Sequence, residues 1–140
     1  EEALRMRERQ GGDRREDVLA YSLTCMGEVL FQLGRISAAR PYLERSLSFR
    51  QGQSEETRRA VRPALGRTQF AMAQVLWAQG SAEDQKRAVE LALAAMDEYD
   101  AYGSRPGNIL PRISTWLDSH RLPQDPPKRP DRIEKKTHAR

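Results

Sequence analysis

The stretch GEVLFQLGRISAARPYLERSL, residues 27–47, carries the reading of this chain's fold. Bulky apolar residues return every three or four positions up to Leu33, and Gly34-Arg35 then interrupts them. That spacing predicts one amphipathic helix and its stop. A second helix is expected directly after it, with Ser37 as its N-cap. Pro41 lies near enough to the start to be tolerated, because the first N–H groups of a helix have no acceptor within it. Ala39, Leu43, Ser46 and Leu47 form the apolar stripe of this second helix. No acid, base or nucleophile in the stretch is arranged for chemistry.

Working outward, the first helix extends back through Leu30, Met26, Leu23 and Leu19 at the same spacing. Forward of it, RQGQSEET (50–57) reads as a polar loop. A long helix then begins between Arg58 and Pro63 and carries Phe70, Met72, Ala73, Leu76 and Trp77 up to Gly80. Ser81 followed by Asp84 fits a capping box for the next helix, whose stripe is Ala88, Leu91, Ala92, Ala95 and Met96. Breakers fill 102–107, after which Ile109, Leu110, Ile113, Trp116 and Leu117 stripe a last helix ending near His120. Four prolines between 123 and 130 end regular structure, and the tail is expected to be disordered. No strand alternation appears anywhere, so the fold class is all-α.

The long helices repeat. At a shift of 46 residues Met26 falls on Met72, Gly27 on Ala73, Leu30 on Leu76, Phe31 on Trp77 and Gly34 on Gly80. At a shift of 43, EALRMR (2–7) falls on RSLSFR (45–50), so the chain is expected to open on the end of a preceding repeat helix over 1–10.

These residues resemble the tetratricopeptide repeat. Met26 and Gly27 stand at its Leu-Gly pair, Leu30 at its large first-helix position and Gly34 at its turn; Ile36, Ala39, Leu43, Ser46 and Leu47 form the face that packs back. The second copy is looser, with Ala73 for the glycine and SAEDQK (81–86) lengthening the turn. The resemblance implies TPR-like antiparallel helix-pair repeats in a right-handed α-solenoid, with repeats over 17–53 and 57–102, a C-terminal capping helix over 108–121 and a basic, Pro-rich tail over 122–140. The looser likeness of AVELALAAMDEYDAYG (88–103) and STWLDSHRLP (114–123) to the C-terminal repeat region of large bacterial serine/threonine protein kinases implies a bacterial signalling or regulatory parent.

Composition narrows the function. The net charge is +4. Residues 123–140 hold six Lys or Arg against three acids, which leaves the body nearly neutral. A nucleic-acid surface normally lies on a folded face, so a nucleic-acid-binding helical domain helped by its tail stands only as the alternative. No run approaches the length of a membrane span. Cys25 has no partner for an internal disulfide, and a reducing cytoplasm is the simplest compartment. His120 and His138 lack metal-ligand spacing with Cys25, and neither a P-loop nor kinase catalytic motifs occur, so no catalytic, metal or cofactor residue is assigned.

Binding of a protein or peptide remains. The resemblance implies that first helices line a concave groove, with Tyr21, Thr24, Glu28, Phe31 and Gln32 from the first copy. Arg67, Phe70, Gln74, Trp77 and Ala78 come from the second. Phe31 beside Trp77 is the expected centre of that surface. The Lys/Arg and Asn pair of a carboxylate clamp is absent, Thr24 with Glu28 and Phe70 with Gln74 standing in its place.

Overall fold

Gly34 takes φ +79° and ends the first helix with two reversed bonds, Arg35 N–H to the Leu30 carbonyl at 2.8 Å and Gly34 N–H to the Phe31 carbonyl at 3.0 Å. This left-handed stop satisfies carbonyls that the helix end would orphan. In the computed structural model, which describes residues 2–103, 105 and 108–120 with side chains from residue 15 onward except at position 62, all regular structure is helical. The elements are α1 (Glu2–Gln32), α2 (Ile36–Gly52), α3 (Glu55–Ala60), α4 (Arg62–Gln79), α5 (Ala82–Tyr102) and α6 (Leu110–Ser119). Helix α1 packs on α2 and α4 on α5; α2 joins the two pairs by packing on α4, and α6 lies on α5. Residues 121–140, which contain the expected basic tail, lie outside the described residues.

Four boundaries differ from the sequence reading. Helix α1 runs unbroken from Glu2 through Gly11-Gly12, so residues 2–10 are no separate helix end; two glycines cost about 1 kcal/mol each, and the Glu-, Arg- and Ala-rich flanks favour helix strongly enough to continue. The N-cap of α2 is Arg35 without a side-chain bond, not Ser37, because the Gly34 turn leads straight into Ile36. Pro41 is the sixth residue of α2, where it removes one helix bond at a solvent-exposed position, so water can reach the carbonyl left free. The expected polar loop shrinks because Ser54 caps α3, its hydroxyl accepting from Thr57 N–H at 3.2 Å, with Glu55 and Glu56 in the first turn and Arg58 and Arg59 in the last. Those charges suit both ends of the helix dipole. Ser81 caps α5 as expected, accepting from Asp84 N–H at 3.1 Å.

Close approach organises each pair. Gly27 lies under Leu43, and a Cβ at position 27 would sit 2.4 Å from Leu43 Cγ. In the second pair Gly66 lies under the Tyr99 ring, with a Cβ there only 2.8 Å from it. Small residues admit the large ones, and the core of Met72, Val75, Leu76, Ala88, Ala92 and Ala95 fills in around them. The expected stripes on α2, α4 and α5 all face this core. Helix α1 departs from its expected stripe: Leu23 is buried and Leu30 packs on the core, but Met26 and Leu33 are exposed. Both of its faces carry apolar residues, and α2 and α4 cover only the one with Ala20, Leu23, Thr24 and Gly27.

Helix α6 seats Ile113 in the core and half-buries Trp116, whose ring meets Phe70 and Trp77 edge-on at 5.9 Å each and stacks on His120 at 4.2 Å. Trp116→Ala is expected to cost about 2 kcal/mol in a denaturant melt, below the ~3–5 kcal/mol of a fully buried tryptophan. Gly27→Ala is expected to cost about 1–3 kcal/mol by overpacking. In a cycle with Leu43→Ala the double variant should lose less than the two single losses combined; additive losses would remove the close approach as the cause.

Candidate functional site

Three cavities follow one another along the face formed by α1, α4, α5 and α6. The first, about 290 Å³, is walled by Tyr21, Arg67, Tyr99 and Tyr102 over a floor of Thr24 and Thr68. The second, about 530 Å³, lies between Glu28, Gln32, Arg67 and Arg112, with Val29 and Ile109 as its apolar patches. The third, about 450 Å³, is bounded by Phe70, Gln74, Arg112 and Trp116. Arg67 and Tyr99 belong to the first and second, and Arg112 to the second and third. These shared residues make one groove of the three.

The floor is a hydroxyl cluster. Thr24 Oγ1 lies 2.7 Å from Ser46 Oγ and 2.8 Å from Thr68 Oγ1, while the Ser46 hydroxyl donates to the Ala20 carbonyl at 2.7 Å. With the Ser46 proton on that carbonyl, Thr24 donates to Ser46, while the Thr68 hydroxyl has two acceptors within reach for its one proton, Thr24 and the Ala64 carbonyl at 3.0 Å. Beside it Arg50, fully buried, donates to the Asp17 carboxylate, so its charge is paired rather than stranded.

Arg67 is the central cation. Its Nε donates to Glu28 at 3.1 Å and its Nη2 to the other carboxylate oxygen at 2.6 Å, a two-pronged pair that fixes the guanidinium plane. The Tyr21 ring lies 5.4 Å from the Arg67 guanidinium carbon. The Glu28 carboxylate holds Arg67 protonated well above the ordinary arginine value, against the opposing effect of burial. Burial pushes the Tyr99 hydroxyl up to about 12, and nearby Arg67 draws it partly back. Arg112 sits over the Phe70 ring at 6.0 Å.

The structure brings Tyr21, Glu28, Gln32, Arg67 and Gln74 to the groove. Thr24 and Phe70 are floor rather than lining, since both are buried; Thr24 faces the inter-helix hydroxyls and Phe70 is roofed by Trp116. Phe31 and Trp77 do not form the expected open pair. Both pack against the core, and Trp77 is covered by Trp116 and by His120, 5.1 Å away; Ala78 is exposed but borders none of the three cavities. Tyr99, Tyr102 and Arg112 join the groove without having been expected there. They come from α5 and α6, and only Tyr99 left a sequence signal, as the large residue seven positions after Ala92 on the packing stripe.

Among the described residues no group of His, Cys, Asp and Glu is placed to hold a metal ion, and no helix is long and apolar enough to cross a membrane. No family model, curated protein or solved structure matches the chain.

Tyr99 makes the groove sensitive to alkali. Its folded value lies above the ordinary 10, so the neutral hydroxyl contributes stability that is complete below pH 10 and is lost as pH rises through about 12. A difference ultraviolet titration between the protein and Tyr99→Phe should place that phenol near 12, and Tyr99→Phe should lose less stability than the parent between pH 10 and 12. A midpoint near 10 would mean the hydroxyl is solvated.

Proposed function

We propose that the chain is a protein-interaction module that holds an extended, acidic peptide segment in the groove between α1, α4, α5 and α6. The observation that carries this reading is the row of three cavities joined through Arg67 and Arg112, with Tyr21, Tyr99 and Tyr102 beside the cations. An extended backbone spans such a row, aromatic walls supply contact area at little entropic cost, and arginines confer preference for carboxylates. The internal repetition and the Gly27–Leu43 and Gly66–Tyr99 approaches support a tetratricopeptide-like stack of helix pairs as the scaffold. That resemblance also favours a signalling or regulatory parent, bacterial and cytoplasmic.

Selection from a random peptide library on the immobilised chain should yield acidic sequences. Arg112→Glu and Tyr21→Ala are each expected to weaken the selected peptide by about 1–3 kcal/mol while helicity is kept. Glu28→Gln should tighten it, because Arg67 loses its internal counter-charge. Retention of nucleic acid with a steep salt dependence and no selected peptide would overturn the reading in favour of phosphate binding.

A further inference from the structure

The outer face of α1 is a second surface, turned away from the core and meeting the groove only at Val29. Leu19, Ser22, Met26, Val29 and Leu33 recur at three- and four-residue steps along one side of the helix. Its four apolar members are between 37% and 69% exposed, and Ser22 is exposed as well. Single exposed apolar residues are ordinary, but a contiguous stripe of them on one helix is not.

What covers such a stripe is shown elsewhere in the same molecule. At the 46-residue shift Leu19 falls on Leu65, Ser22 on Thr68, Met26 on Met72 and Val29 on Val75. Three residue types are kept and a hydroxyl answers a hydroxyl. On α4 these four positions are none more than 4% exposed, and the helix packed against α4 from the preceding pair is α2. The α4 copy of this stripe is therefore covered within the fold, where Thr68 also meets Thr24 of α1, and the α1 copy is uncovered. The fifth position differs. Gln79 accepts a hydrogen bond from Arg40 of α2 at 2.6 Å, whereas its counterpart Leu33 accepts none.

We infer that the Leu19–Leu33 face of α1 is a docking site for an amphipathic helix of α2 chemistry from a partner protein. Its stripe repeats the pattern of Ala39, Leu43, Ser46 and Leu47, with an apolar residue where α2 has Arg40. The small residues let the helix approach closely, and the apolar substitute for Arg40 meets Leu33 without burying an unpaired guanidinium. A generic hydrophobic partner would not need the small residues or the loss of the arginine.

The test uses the full chain and a labelled peptide of residues 36–52, bridged between positions 38 and 42, which are exposed in α2, so that the short helix is preformed. Fluorescence anisotropy should show saturable binding, tighter for the Arg40→Leu peptide than for the parent sequence. Met26→Lys with Leu33→Lys should weaken it about tenfold or more, since two contacts of the stripe are replaced by charges. The same double variant should keep the unfolding midpoint, because both positions are solvent-facing. Leu93→Lys, on an exposed face of α5, should change nothing. Three results would overturn the inference: no saturable binding up to about 1 mM peptide, binding indifferent to the Met26 and Leu33 replacements, or a dimer in sedimentation that those replacements dissolve, which would make a second copy the occupant. None of these outcomes bears on the groove, because Met26, Leu33 and Leu93 line none of its three cavities.

Discussion

Thr24, Ser46 and Thr68 bring one hydroxyl from each of three helices to a single point, and the relation of the two helix pairs depends on that meeting. A buried hydroxyl without a partner is costly; Ser46 and Thr68 each reach a backbone carbonyl, whereas Thr24 has only their two hydroxyls as partners. The relay ends on the Ala20 carbonyl, which ties the second helix to the backbone of the first. Apolar packing alone would allow α4 to slide along α2 with modest loss; a directional hydroxyl chain does not. The cavity above the relay inherits its floor from it, so the binding face and the inter-pair contact are one construction.

Around this point the two helix pairs solve the same packing problem with opposite assignments of bulk. In the first pair Leu43 descends onto Gly27; at the matching level of the second pair Ala73 and Ala92 are both small, and the large residue has moved to Tyr99 over Gly66. First helices match at a shift of 46, whereas the packing stripes of second helices match at 49, Ala39 with Ala88, Ser46 with Ala95 and Arg50 with Tyr99. SAEDQK does not lengthen the turn as expected, since α5 already begins at Ala82; the extra residues lie in the first turns of α5, and Asp84 among them is used twice. Its N–H is capped by Ser81, and its carboxylate receives Arg40 from α2, whose hydrogen bonds hold it below the usual carboxylate range. The insertion thus adds a polar clamp at the rim of the same inter-pair contact.

The division of labour on α1 follows from its having two apolar faces. One packs inward through Ala20, Leu23, Thr24 and Gly27; the other carries the Leu19–Leu33 stripe, and Tyr21, Glu28 and Gln32 lie toward the groove. A helix offers about a hundred degrees of arc to each neighbour, which leaves room for all three uses on one cylinder.

Helical period, the Gly34 and Gly80 stops, the Ser81 cap and the stripes of α2, α4 and α5 were legible in the sequence, because each is set by spacing along a few consecutive residues. So were Tyr21, Glu28, Gln32, Arg67 and Gln74 as members of one face, since a shift of 46 carries one first helix onto the other. Tertiary structure alone decided which of the two apolar faces of α1 is covered, and it turned Met26 and Leu33 outward. It also buried Thr24 and Phe70, because a residue at a groove angle becomes floor once a neighbouring hydroxyl or the Trp116 ring closes over it. Tyr99, Tyr102 and Arg112 entered the groove for the same reason. The angle of a side chain on its own helix is written locally, but what stands opposite it depends on where the other helices lie, and that is settled by the shared hydroxyls and the small-to-large contacts between them.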